Sequence, residues 1–95
     1  MAEMGDRISA LVDYVKQHFP GHDVWDTRDH DQAVTVTVRV TNGFLLLTAS
    51  SEFLRDPPAA VTKRLTEWEV ADALRYAGRT ERLRVTRAGW RVTGR

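Results

Sequence analysis

The densest group of side chains that could perform chemistry lies in HDVWDTRDHD, residues 22–31. The segment holds two histidines and four aspartates: His22, Asp23, Asp26, Asp29, His30 and Asp31. Carboxylates and imidazoles bind divalent metals, and a bound metal could activate water for hydrolysis. The spacing fits no ligand loop such as the EF-hand, whereas Asp and His are ordinary turn residues. We therefore expect a polar turn with no metal or cofactor. A metal-dependent hydrolase that uses His30 and the four aspartates is our third hypothesis.

Nucleophilic catalysis has no better support in this chain. The sequence contains no cysteine, which excludes disulfides, thiolate catalysis and cysteine-ligated zinc. Ser50 and Ser51 do not have the sequence context of a nucleophile elbow, and with Glu52 they are more typical of a helix cap. We therefore expect a protein that is not an enzyme.

Arginine dominates the end of the chain, where Glu81 is the only acidic residue after residue 74. The basic residues there are Arg75, Arg79, Arg82, Arg84, Arg87, Arg91 and Arg95. Alternation within residues 79–95 predicts a hairpin that turns at residues 87–89. The residues directed to the core would be Leu83, Val85, Trp90 and Val92. Those projecting from the opposite face would be Arg82, Arg84 and Arg91.

A basic ribbon of this kind could follow a phosphate backbone, because arginine binds phosphate in bidentate fashion. Our second functional hypothesis is therefore a nucleic-acid-binding protein. Its contact residues would be Arg82, Arg84, Arg87 and Arg91. The alternative is a solvated edge hairpin whose charge prevents aggregation. The acidic residues Glu67, Glu69 and Asp72 on the helix expected before this hairpin argue against sequence-specific recognition of DNA by that helix, because phosphates would repel them. A winged-helix arrangement, in which the hairpin is a basic wing after the helix, stays as an alternative.

The strongest structural pattern is AVTVTVRVTNGFLLLTAS, residues 33–50, in which two alternating runs flank Asn42-Gly43. Asn-Gly favours a two-residue type I′ turn, because both positions need positive φ. Such a turn would place Thr41 opposite Phe44. One face of the hairpin would be apolar and belong to the core, with Val36, Val38, Val40, Leu45, Leu47 and Ala49. The other face would carry Thr35, Thr37, Arg39, Thr41, Phe44 and Leu46.

Phe44 and Leu46 are two large apolar residues on this otherwise polar face. Aromatic residues and arginine together are typical of interface cores, so a protein partner or a second copy of the chain could cover the face. This is our leading functional hypothesis, a small binding or adaptor module. Its contact residues would be Arg39, Phe44 and Leu46. Alternatively, the helices or an internal segment such as Leu54 or Trp68 bury this face.

Two helical regions flank the main hairpin. Apolar residues at helical spacing predict a first helix over residues 6–19, with Asp6 as its cap and Pro20-Gly21 after its end. The second region follows Pro57-Pro58 and extends to Ala77, with a bend near residues 65 and 66. Residues 66–69 have the form of a capping box.

The elements combine into one architecture. A short strand is predicted over residues 24–27, before the main hairpin. With this strand, the order of elements is α-β-β-β-α-β-β. We expect a single two-layer α+β domain, residues 1–95, with a mostly antiparallel five-stranded sheet packed by two helices.

Charge is distributed unevenly along the chain. Residues 1–54 hold four basic and eight acidic residues, whereas residues 55–95 hold ten basic and five acidic ones. This asymmetry suggests an anionic partner, although the acidic half could neutralise the basic half within the molecule, which we favour, or across a dimer. No uncharged stretch is long enough to cross a membrane, and the N-terminus lacks the pattern of a signal peptide. We therefore expect a cytoplasmic protein that does not enter membranes.

Overall fold

The computed structural model describes residues 4–29 and 31–95. Within them, the elements in chain order are α1 (Met4–His18), β1 (Val24–Arg28), β2 (Val34–Val40), β3 (Gly43–Ala49), a 3₁₀-helix (Phe53–Arg55), α2 (Pro58–Glu67), α3 (Val70–Ala77), β4 (Glu81–Thr86) and β5 (Gly89–Gly94). The predicted α+β class and the mostly antiparallel five-stranded sheet are confirmed. None of the described helices is both long and apolar enough to cross a membrane.

The strands lie in the sheet in their sequence order, β1-β2-β3-β4-β5. β1, β2 and β3 form an antiparallel meander, and β4 and β5 form an antiparallel hairpin. The two units join through a parallel pairing of β3 with β4. Parallel neighbours need a long crossover connection, which the 3₁₀-helix, α2 and α3 provide.

The β2–β3 turn differs from its prediction. Val40 pairs with Gly43 and Arg39 pairs with Phe44, so the predicted pairing of Thr41 with Phe44 is wrong. The turn residues are Thr41 and Asn42, and Asn42 supplies the positive φ, 64°. Each residue of β2 therefore pairs with a residue of β3 that lies two positions from its predicted partner. Because side chains alternate with a period of two, both predicted faces of the hairpin are preserved.

Gly43 has a packing role in place of the predicted turn role. A Cβ at this position would lie 2.9 Å from Cδ of Arg79. The guanidinium of Arg79 in turn donates a hydrogen bond to the carbonyl of Asn42 at 3.2 Å. The glycine therefore allows the arginine stem to pass close to the turn.

The helices pack on one face of the sheet, which we call the covered face. α1 contacts β1 and β2, α3 contacts β3 and β4, and α2 packs beside both of these helices. The buried strand residues of this face are Val34, Val36, Val38, Leu45, Leu47, Ala49, Leu83 and Val85. The predicted assignment of the apolar hairpin face to the core is therefore correct.

The second helical region is divided into two helices where a bend was predicted. Between them, Glu69 adopts a left-handed conformation with φ 52°. The predicted capping box does not form, since the Thr66 hydroxyl donates to the carbonyl of Thr62 at 2.9 Å. The start of α3 is instead stabilised from α1, because the hydroxyl of Tyr14 accepts the backbone N–H of Ala71 at 3.0 Å. Burial raises the pKa of the Tyr14 phenol.

The C-terminal hairpin has the predicted strands but a different role for one aromatic residue. Leu83 and Val85 are fully buried, as predicted, and Val92 is half-buried. Trp90 does not join the core: its side chain is 42% exposed, and its indole N–H donates to the carbonyl of Trp68 at 3.0 Å. β5 is an edge strand, so its side chains have strand neighbours on one side only.

Candidate binding surface

The described helices pack on the covered face, and we call the opposite face of the sheet the open face. Strand register and alternation place these residues on it: Trp25, Thr27, Thr35, Thr37, Arg39, Phe44, Leu46, Thr48, Arg82, Arg84, Thr86, Arg91 and Thr93. The suggested internal covers, Leu54 and Trp68, lie with the core on the helical side. The helices therefore leave Phe44 exposed.

The open face unites the two surfaces that the sequence suggested separately. The parallel pairing of β3 with β4 sets Leu46 opposite Arg82. The face thus holds all three predicted partner-binding residues, Arg39, Phe44 and Leu46, and three of the four predicted nucleic-acid contacts, Arg82, Arg84 and Arg91. Strands joined by a long crossover leave no turn signal in a sequence, which is why this proximity was not predicted.

An aromatic pair marks one end of the open face. Trp25 is 40% exposed and Phe44 is 44% exposed, and their ring centroids lie 6.0 Å apart in an edge-to-face arrangement. Arg39 stands directly opposite Phe44 on the neighbouring strand. Sequence reasoning missed Trp25 as a site residue. Its alternation with Thr27 showed that the two share a face, but only the pairing of β1 with β2 brings that face to Phe44.

Buried threonines form the centre of the open face. The Arg82 guanidinium donates to the hydroxyl of Thr48 at 3.1 Å, and the hydroxyls of Thr48 and Thr35 lie 2.9 Å apart. The Thr35 hydroxyl also donates to the carboxylate of Asp29 at 3.1 Å. This chain of hydrogen bonds runs from β4 to the end of β1. Each hydroxyl both donates and accepts, so the chain holds Arg82 in a defined position.

Two arginines face each other at the other end of the open face. Arg84 pairs with Arg91 across β4 and β5, and both side chains are exposed. A groove of about 540 Å³ lies beside them, with Thr86 and Thr93 also in its lining. Among the described residues, neither of these arginines nor Arg39 makes an ion pair or a side-chain hydrogen bond. The structure therefore describes no ion pair for these three arginines, and the Asp29 carboxylate meets the open face through the Thr35 hydroxyl.

Arg87, the fourth predicted nucleic-acid contact, is not part of this face. It lies in the β4–β5 turn and pairs with Asp56 at 3.1 Å, and Asp56 also pairs with Arg64. The hydrogen bond from Arg64, followed by the charges of both arginines, lowers the pKa of the Asp56 carboxyl. The ion pairs described in the structure all lie within residues 56–87. None of them joins residues 1–54 to residues 55–95, although the charge distribution favours neutralisation between these two halves within the molecule.

Arg95 makes hydrogen bonds to the backbone beside the open face. Its guanidinium donates to the backbone carbonyls of Phe44, Gly78 and Glu81. Burial and the nearby charge of Arg82 lower the pKa of Arg95. These contacts join residue 95 to the backbone of β3 and β4.

The acidic segment that follows α1 has local structural partners. The Asp31 carboxylate accepts the N–H of Ala33 at 3.1 Å, and Nδ1 of His22 lies 3.0 Å from the carbonyl of Arg39. His30 lies outside the described residues. Within the described part of the chain, no three histidine or acidic side chains are grouped for metal binding. The arrangement offers no support for the hydrolase hypothesis.

Ser50 has the capping role that the sequence suggested. Its hydroxyl accepts the backbone N–H of Phe53 at 3.1 Å, at the start of the 3₁₀-helix. This contact occupies the hydroxyl as a structural acceptor.

No family model, curated protein or solved structure matches this chain. Functional inference therefore starts from the geometry and charge of the open face.

Proposed function

We propose that this protein is a non-enzymatic binding module that holds an anionic macromolecule on its open face. The observation that carries the proposal is the pair of opposed arginines Arg84 and Arg91, together with Arg39 at the aromatic end of the face, for none of which the structure describes an acidic partner. Like charges placed opposite each other weaken a sheet. Violations of folding preference of this kind are expected at functional sites, where a ligand supplies the missing counter-charge.

The composition of the open face supports the same proposal. Half-exposed Trp25 and Phe44 lie on the same face as the arginines. Aromatic residues and arginine are enriched in the centres of binding interfaces, where they supply most of the binding energy. The acidic residues of α2 and α3 lie in the helical layer behind the sheet, so they do not oppose an anion on the open face.

The leading sequence hypothesis, a protein partner, remains one form of this proposal. An acidic protein segment would meet the same arginines and aromatic rings. A second copy of the chain fits less well, because a symmetric dimer through this face would bring the arginines of both copies together. Like charges would then face each other across the interface as well as within each copy.

Fluorescence anisotropy with labelled anionic polymers tests the proposal. The probes are a single-stranded oligonucleotide and a poly-glutamate peptide, each titrated at about 50 mM and about 200 mM salt. We expect at least one probe to bind, with affinity that falls steeply as salt rises. The double variant R84E/R91E should weaken that binding at least about tenfold, because it reverses the two opposed charges.

The matched control is R55E/K63E, which makes the same charge change on the helical side of the molecule. It should leave the affinity of the bound probe within about twofold of the wild-type value, since net charge alone is a long-range and screened effect. Equal losses in the two double variants would show that net charge drives association, and the open face would then not be the site.

A further inference from the structure

We infer that the occupant of the open face is a single-stranded nucleic acid, whose bases stack on Trp25 and Phe44 while its phosphates contact Arg84 and Arg91. This inference rests on the proposed function and names the ligand class of the same surface. Its support is the placement of exposed aromatic rings on the same sheet face as arginines for which the structure describes no ion pair.

The aromatic end of the face fits a planar apolar group. The edge-to-face contact between Trp25 and Phe44 orients both rings, yet each side chain keeps about two-fifths of its surface exposed. Rings held in this way on a sheet can stack with nucleotide bases, and every base offers a π-face regardless of sequence. Arg39 stands beside the rings and can stack on a base or bind a phosphate.

The arginine end fits the other part of the same ligand. A nucleotide strand joins a flat base and a charged phosphate in each repeating unit, so one strand can satisfy both ends of the face. β1 and β5 are four strand spacings apart, which is about 19 Å. A surface of this width suits a short site of roughly 4 nucleotides, the lower limit for single-strand binding folds.

Two other anionic polymers fit less well. In a duplex the bases are stacked inside and do not reach a ring on a flat sheet, and direct reading of a groove needs a helix or ribbon that enters it. An acidic peptide would pair with the arginines but has no repeating planar group for the rings of Trp25 and Phe44. Single strands use both features of the face.

The experiment compares probes that differ in one chemical feature at a time. Labelled oligo(dT) and oligo(rU) of about eight nucleotides are titrated beside an abasic strand of equal length, a duplex and poly-glutamate of matched charge. We expect oligo(dT) or oligo(rU) to bind at least about tenfold more tightly than the abasic strand, because stacking adds to the electrostatic attraction. The tighter of the two identifies DNA or RNA as the ligand.

Variants separate stacking from charge. W25A/F44A should reduce oligonucleotide affinity to that of the abasic strand and leave the abasic strand unaffected, whereas R84E/R91E should weaken both. Y76A is the matched control, because Tyr76 is an aromatic residue that is 81% exposed on α3. It should change no affinity.

A measurement on the wild-type protein tests the inference without relying on the correct folding of any variant. The indole N–H resonance of Trp25 should shift upfield when the oligonucleotide is added, because a stacked base adds a ring current, and that of Trp68 should not move. Equal affinity for the abasic strand, or tighter binding of duplex or poly-glutamate, would overturn the inference and leave the proposed function standing. Failure of every probe to bind at low salt would overturn both.

Discussion

Leu46 and Leu47 are neighbours on β3, yet they lie in opposite environments. Leu47 points to the covered face and has no accessible surface, whereas Leu46 points to the open face and is partly exposed beside Arg82. The same contrast applies to the whole sheet: one face is apolar and packed by helices, and the other is a mixture of rings, threonines and arginines. The covered face holds the fold together, and the open face leaves its largest side chains partly exposed.

The largest expected effect tests this division directly. Leu47→Ala should lower the free energy of unfolding by about 2–5 kcal/mol, because it removes buried methyl groups and leaves a cavity. Leu46→Ala should cost less than about half as much, since its side chain already meets solvent. Urea denaturation of both variants measures the difference. Equal losses would mean that the open face is packed as tightly as the covered one.

A smaller loss is expected at the centre of the open face. Thr48→Val should cost about 1–2 kcal/mol, because Arg82 loses its acceptor and Thr35 loses its partner hydroxyl. Thr37→Val is the control: Thr37 is also buried on this face, and the structure describes no side-chain hydrogen bond for it. Chemical denaturation should find the control close to wild type, and similar losses in both would argue against the hydrogen-bond chain.

The pH dependence of stability tests the ion pairs that Asp56 makes with Arg64 and Arg87. The pKa of Asp56 is lowered in the folded protein, chiefly by the hydrogen bond from Arg64, so its contribution to stability is present above the ordinary carboxyl pKa of 3.8. That contribution is lost as pH falls through the lower folded pKa. Asp56→Asn should therefore destabilise the protein at neutral pH, by less than Thr48→Val because the site is near the surface. Denaturation at a series of pH values should show the difference from wild type shrinking below pH 3.8, and a difference independent of pH would exclude this ion pair as its cause.

The smallest expected effect is an increase in the free energy of unfolding. Arg84→Gln should raise the free energy of unfolding by a few tenths of a kcal/mol (~0.3), because it relieves the repulsion from Arg91. The same substitution should weaken binding of the anionic probe. Thermal denaturation and anisotropy on one protein sample measure both, and a loss of stability would show that Arg84 contributes to the fold.

The sequence predicted the parts of the molecule that local rules determine. Alternation assigned the two faces of the main hairpin correctly, even though the pairing was displaced, because a shift of two residues does not move side chains between faces. The division of the second helical region was anticipated only as a bend. Its cause is nonlocal, since Tyr14 of α1 stabilises the start of α3 in place of a sequence-local cap.

The candidate site was predicted as two halves that were not connected. Phe44 and Arg84 each stood out in its own hairpin, but neither hairpin specifies where the other one lies. Alternation correctly placed Trp90 on the same face as Val92, and the sequence therefore assigned it to the core. The strand order puts β5 at the edge of the sheet, where Trp90 is 42% exposed. Strand order depends on packing across the whole domain, and alternation within a strand does not report it.

The parallel junction between β3 and β4 has a consequence for folding order. Leu46 and Arg82 are separated by the entire helical crossover, and closing so long a loop costs chain entropy before any contact forms. The meander that carries the aromatic pair involves only short connections, so it should form earlier than the nonlocal pairing of the arginine hairpin with β3. The complete open face therefore exists only at the end of folding, and a partly synthesised or partly folded chain would present the rings and Arg39 without Arg84 and Arg91.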